Sequence, residues 1–105
     1  MDIQLKKGVL EYCLLEQIAR KETYGYDLLK VLSDAFPSVQ ESTIYAILRR
    51  LRQGGMAETY EGKESDGPVR KYYRITSLGR DSLQKMRQDW KDLVRGVNQL
   101  CFPDE

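Results

Sequence analysis

Histidine is absent from this chain of 105 residues, and cysteine occurs only at Cys13 and Cys101. Without an imidazole there is no histidine general base and no Ser–His or Cys–His nucleophile pair. The two thiols form no CxxC pair, so the ligand spacing of a zinc site is missing as well. No Gly-rich phosphate loop stands anywhere in the chain, and no nucleophile has a base beside it. The expectation is a protein that is not an enzyme, with no catalytic residues, no metal ligands and no cofactor. Long hydrophobic runs are also missing. Nothing approaches the roughly 20 apolar residues that span a bilayer, and the polar Met1–Lys7 segment leads into no secretory h-region. A cytoplasmic protein without membrane contact is expected. Charge of one sign is scarce too: 17 Lys and Arg against 16 Asp and Glu leave a net charge of +1. Any contact with nucleic acid must then rest on a local basic patch rather than on bulk charge.

What is present is a globular composition, 41% hydrophobic and 31% charged, in a length that fits one domain. Such a domain has a modest core and gains buried area by joining a second copy. Apolar residues at Leu5, Val9, Tyr12, Cys13, Leu14, Leu15 and Ile18 keep helical spacing and predict a first helix from Leu5 to Arg20. Cys13 reads as small core filling, and Cys101 as a free thiol. Thr23 is the expected N-cap of a second helix, Tyr24 to Ala35, with Leu28, Leu29, Val31, Leu32 and Phe36 on its buried face. Pro37 ends it. Ser42 is the expected cap of a third helix, Thr43 to Gln53. There Ile44, Ile47, Leu48 and Leu51 form one apolar stripe, and Gly54–Gly55 stops the helix. Met56–Tyr60 and Val69–Ile75 read as a β-hairpin around a polar turn from Glu61 to Pro68. Thr76 caps a last helix, Ser77 to Leu100. Along it Leu83, Met86, Trp90, Leu93, Val97 and Leu100 repeat with the spacing of a two-stranded seam.

Three helices, a hairpin and a long helix make a mostly α fold with a small β element. The order is that of a winged helix-turn-helix (residues 1–76) followed by a C-terminal dimerisation helix and tail (residues 77–105). The third helix is then the one that enters the major groove of double-stranded DNA. On its first turns Ser42, Thr43, Tyr45, Ala46 and Arg49 are the candidate contacts. Hydroxyls reach phosphates or bases, Ala46 suits a thymine methyl, and Arg49 suits guanine or phosphate. Tyr24 and Tyr26 sit at a helix N-terminus, where a phosphate is favoured. On the second hairpin strand, alternation puts Arg70, Tyr72 and Arg74 on one face, and Lys71 and Tyr73 on the other. Arg70 and Lys71 are the expected grips. The acidic Glu61, Glu64 and Asp66 point to the base of the wing rather than its tip. The seam residues Leu83, Met86, Trp90, Leu93, Val97 and Leu100 are the expected homodimer interface, Leu83 and Met86 also being close enough to the body to touch it, as is Leu78.

Several blocks stand in a particular order: Tyr24–Gly25–Tyr26–Asp27–Leu28, then Glu41–Ser42–Thr43–Ile44–Tyr45, then Leu48–Arg49–Arg50–Leu51 with Gly55, then Arg70–Lys71–Tyr72–Tyr73–Arg74–Ile75–Thr76 and Leu78–Gly79. Together they resemble the PadR family of transcriptional regulators over about residues 5 to 100, in its branch with a short C-terminal region. The resemblance implies a homodimer joined by the last helix that represses by occupying a pseudo-palindromic operator. It places Lys6 and Lys7 near the DNA backbone. It also puts Trp90 where some relatives bind flat aromatic molecules between subunits, so an aromatic small-molecule effector is expected. Two other readings of the same elements remain: a winged helix used only for protein contacts, and an architectural DNA binder, which would want a larger positive excess.

Overall fold

The computed structural model describes residues 3–63 and 67–104, with side chains from Lys7 onward. The chain runs α1 (Ile3–Arg20), β1 (Thr23–Tyr24), α2 (Gly25–Ala35), α3 (Glu41–Gln53), β2 (Ala57–Gly62), β3 (Arg70–Ile75) and α4 (Ser77–Cys101). The strands form one antiparallel sheet in the order β1-β3-β2. This is a winged helix with a long C-terminal helix, as the order of patterns predicted. No helix among the described residues is long and apolar enough to cross a membrane.

Helix spacing builds the core. Leu10, Leu14, Leu15 and Ile18 of α1 meet Leu28, Leu29 and Leu32 of α2 and Ile44, Ile47, Leu48 and Leu51 of α3. Each such side chain contributes about 1.5–3 kcal/mol when fully buried. Tyr73 and Ile75 close the core from the sheet, and Leu83 closes it from α4. Val31, expected on the buried face of α2, is 47% exposed. The stripe is centred on Leu28, Leu29 and Leu32, and Val31 is turned about 100° around the helix from Leu32.

Two expected caps are corrected by the structure. Thr23 does not cap α2, because Thr23 and Tyr24 pair with Tyr73 and Tyr72 as the strand β1. The free edge of β3 draws these residues into the sheet, and the Thr23 hydroxyl donates to the Lys21 carbonyl instead. Tyr24 holds the N-cap position of α2 in an extended conformation, without a side-chain cap. Ser42 does not cap α3 either. Val39 is buried and anchors the preceding turn, so the chain becomes helical at Glu41, with Gln40 in the cap position. Ser42 thereby moves into the first turn, on the exposed surface.

The remaining helix signals hold. Gly55 adopts φ +78°, which favours glycine. Met56 N–H donates to the Leu51 carbonyl and Gly55 N–H to that of Arg52, the paired bonds of a Schellman end. Thr76 caps α4: its hydroxyl oxygen accepts from Gly79 N–H at 3.0 Å and donates to the Gly55 carbonyl at 2.6 Å. The end of α3 and the start of α4 are thus pinned to one another.

The first turns of α4 belong to the same core as the winged helix. Leu83, expected in the outward seam, is only 2% exposed, so it has no surface to offer a partner; burial in the core beside α1 claims it first. Met86 packs partly on the same core. Leu78, expected against the body, is largely exposed. Farther along, Arg87 makes a two-pronged pair with Glu16 of α1, at 2.8 and 2.7 Å. Trp90 then stacks on Tyr12, with ring centroids 6.0 Å apart and planes at 15°. Beyond Trp90 the apolar residues Leu93, Val94, Val97 and Leu100 are exposed.

Candidate nucleic-acid interface

Because Ile44, Ile47, Leu48 and Leu51 point inward, helical geometry sends positions 42, 45, 46 and 49 outward together. Ser42, Tyr45, Ala46 and Arg49 are exposed and Thr43 is half-buried. Tyr45 is 41% exposed, which separates it from the core tyrosine Tyr73. The exposed stripe carries two hydroxyls, a methyl and a guanidinium, which is a set able to read base edges and grip phosphates. Arg50 and Arg52 are exposed on the following turn.

This helix does not stand alone. A cleft of 260 Å³ is lined by Tyr24, Gly25, Tyr26, Tyr45, Arg70, Lys71 and Tyr73. Five of the candidate residues, from the start of α2, from α3 and from β3, therefore meet around one opening. Gly25 sits at the junction, where a Cβ would be in ordinary van der Waals contact with the Tyr73 ring at 3.5 Å and with that of Tyr45 at 4.0 Å. Tyr73 forms the floor, and burial raises its phenol pKa above the usual 10.0, partly opposed by the positive charges of Arg52 and Arg49 nearby.

The outer face of the sheet is built differently. Strand register sets Tyr24 of β1, Tyr72 of β3 and Tyr60 of β2 in one cross-strand row. Tyr60 stacks on Tyr72 at 5.5 Å, Tyr72 tilts against Tyr24 at 5.9 Å, and Tyr24 stacks on Tyr26 at 6.3 Å. Arg70 lies over the Tyr24 ring at 5.2 Å. Arg74 lies over Tyr60 at 4.8 Å and pairs with Glu58 at 2.9 Å. Alternation did place Arg70, Tyr72 and Arg74 on one face, but it gave no hint of the row, because a single sequence does not reveal register. The two-residue strand β1 is too short to leave a period-2 signal.

Not every candidate joins this surface. Lys7 is exposed and precedes Gly8, whose nearest neighbour across the fold is Trp90; it is not among the residues of the cleft. The side chain of Lys6 lies outside the described residues, as do Glu64 and Asp66 of the wing turn. Among the described residues, Arg49, Arg50, Arg52, Arg70 and Lys71 are in no ion pair.

Trp90 belongs to a second surface. It lines an apolar groove of 550 Å³ with Val9, Tyr12, Cys13, Lys91, Val94 and Arg95. Tyr12 and Cys13, read from the sequence as part of the buried face of α1, thus share a wall with Trp90. Burial raises the Cys13 thiol pKa, which keeps it protonated and poorly nucleophilic.

The chain is similar to known proteins over this whole arrangement. The profile of the Transcriptional regulator PadR-like family matches residues 14–85. An uncharacterised protein of Lysinibacillus sphaericus is 37% identical over 90 residues, with 83% of each chain covered. A solved PadR-like transcriptional regulator from Bacillus cereus is 40% identical with a TM-score of 0.85, over 92% of this chain and 95% of that one. A Streptococcus transcriptional regulator is 36% identical with a TM-score of 0.86, over 94% and 98%. A PadR family transcription regulator from Clostridium difficile is 27% identical with a TM-score of 0.78, over 87% and 96%. The matched profile takes in α2, α3 and β3, the elements that build the cleft, together with the first turns of α4, and this chain is a member of the PadR-like family of transcriptional regulators.

Proposed function

We propose that this protein is a cytoplasmic, homodimeric repressor that binds a pseudo-palindromic operator and leaves it when an aromatic small molecule binds. The observation that carries the DNA reading is the cleft where α2, α3 and β3 meet. Ser42, Thr43, Tyr45, Ala46 and Arg49 enter the major groove. Tyr24, Tyr26, Arg70 and Lys71 grip the phosphates beside it, and the resemblance to the family adds Lys6 and Lys7 as contacts to the DNA backbone outside the cleft. Net charge contributes little, so affinity comes from these local cations, each releasing counterions as it meets a phosphate.

The exposed face of α4 supports the dimer. Leu93, Val94, Val97 and Leu100 are between 43% and 83% exposed, on a 25-residue helix whose earlier turns already serve the core. Such a stripe is stable in water when a second copy covers it. Residues 1–76 then act as the DNA-binding part and residues 77–105 as the dimerisation part, with Met86, Trp90, Leu93, Val97 and Leu100 at the seam. The Trp90 groove supports the effector: two parallel aromatic rings and an apolar lining suit a flat ring system.

Selection of duplexes from a randomised pool tests the reading. The expected winner is an inverted repeat with half-sites about 10 bp, or a multiple of it, apart. Enrichment of single, unsymmetric half-sites would remove the dimer from the account. No enrichment by the folded protein would favour a winged helix used for protein contacts.

A further inference from the structure

We propose that Tyr72 is a positioning residue for DNA binding, which holds the Arg70 guanidinium through the Tyr24 ring without touching DNA itself. The inference rests on the reading of Arg70 as a phosphate grip.

Arg70 stands at the start of β3, next to the wing turn, where a long side chain is free to spread over many rotamers. Its cross-strand partner on β2 is Gly62, which offers no side chain to lean on. What Arg70 does have is the face of Tyr24, 5.2 Å from its guanidinium carbon. Tyr24 in turn lies against Tyr72, its partner in register. Tyr72 lies against Tyr60, nearly parallel at 16°. The far end of the row is fixed: the Tyr60 hydroxyl donates to Glu22 at 2.8 Å, and Arg74 covers the Tyr60 ring while bound to Glu58. Gly62 also makes room for the row, because a Cβ there would come within 3.0 Å of the Tyr72 ring. The two wing arginines therefore differ. Arg74 is committed to carboxylates inside the protein, whereas Arg70 is held by an aromatic face alone among the described residues, leaving its N–H groups directed to other partners.

The Tyr72 hydroxyl makes no hydrogen bond among the described residues, so the role belongs to the ring. Tyr72→Phe should preserve it and Tyr72→Leu should abolish it. The test is a salt series of duplex binding, measured by fluorescence anisotropy with one selected duplex. It compares the native dimer with Arg70→Ala, Tyr72→Phe, Tyr72→Leu and the Arg70→Ala, Tyr72→Leu double variant, each checked for folding by thermal melting. Losing the grip shrinks the slope of log K against log salt by about 0.9 per protomer. We expect that shrinkage for Arg70→Ala and for Tyr72→Leu, none for Tyr72→Phe, and a double variant within about twofold of Arg70→Ala. A folded Tyr72→Leu protein with the full native slope, or a double variant whose loss is the product of the two single losses, would overturn the proposal. An unchanged slope in Arg70→Ala would overturn the grip itself and the positioning role with it. If Tyr72→Leu does not fold, Tyr60→Leu removes the ring behind Tyr72 and is read by the same criteria.

Discussion

Gly79 shows how one residue fixes the join between the wing and α4. It is buried in the first turn of that helix, and a Cβ there would drive into the Met56 carbonyl oxygen and crowd the Ile75 side chain. The obstacle is backbone, held in place by the Thr76 N–H donating to the same Met56 carbonyl at 3.2 Å. Gly79→Ala is therefore expected to cost about 2 kcal/mol as overpacking, lowering the melting temperature by roughly 10 °C. Melting within a degree or two of native would show that α4 can shift freely at this point. Arg49 and Tyr45 are opposite cases, exposed side chains with no partner in the core. Their replacement by alanine should leave the melt within about 0.5 kcal/mol of native while weakening DNA binding by tenfold or more, as loss of about 1–3 kcal/mol of base or phosphate contact implies. Residue identity was legible here from the start. Ser42, Tyr45, Ala46 and Arg49 fall on one face because the apolar stripe on the other face is unambiguous.

At the level of elements, legibility divides by period. Helices with a clear 3.6-residue stripe were read to within a few residues, and the Gly54–Gly55 stop and the Thr76 cap both hold. Thr23 and Ser42 were misread for the same physical reason. A hydroxyl before an apolar run is a local signal, and a sheet edge in one case and a buried Val39 in the other decided where the helix began. The tyrosine row was illegible because it depends on strand register, which three short strands do not encode separately. The contact between α1 and α4 also came only from the structure. Its ion pair gives a pH dependence. The Arg87 guanidinium, donating to Glu16, holds the Glu16 carboxyl below its ordinary 4.5. The unfolded chain thus takes up the proton more readily than the folded one. Stability from this pair is complete above about 4.5 and is lost as the pH falls through the lower, folded value. Melting followed from pH 7 to pH 3 should show a steeper acid loss for the native protein than for Glu16→Gln, which should start a few degrees lower and lose less. Parallel curves would mean that the pair contributes nothing.

For the whole molecule, the question is what covers the outer half of α4. Of the residues that the seam spacing picked out, Leu93, Val97 and Leu100 are exposed and Leu83 is buried, because a heptad cannot tell one buried surface from another. Leu93→Ser with Val97→Ser removes two apolar side chains from the exposed stripe, each contributing about 1.5–3 kcal/mol if buried by a partner. The variant should stay folded, since neither residue is in the core. On the dimer reading, sedimentation velocity should find the native chain as a dimer and the variant as a monomer at the same concentration; a monomeric native chain would overturn that reading, and a dimeric variant would place the contact elsewhere. The proposed effector was expected from the resemblance to relatives at Trp90, and the sequence placed no other residue beside the indole. That Tyr12 and Trp90 stack on one another along the wall of one groove required the fold, and an aromatic compound bound there should change Trp90 fluorescence in the native protein. The central claim is sequence-specific DNA binding through α3, and one measurement tests it most directly. This is fluorescence anisotropy, at fixed salt, of a selected duplex and its scrambled counterpart with the native protein and with the Tyr45→Ala, Arg49→Ala variant. The account predicts tight binding of the selected duplex alone, lost in the variant. Equal binding of both duplexes, or native affinity in a folded variant, would contradict it.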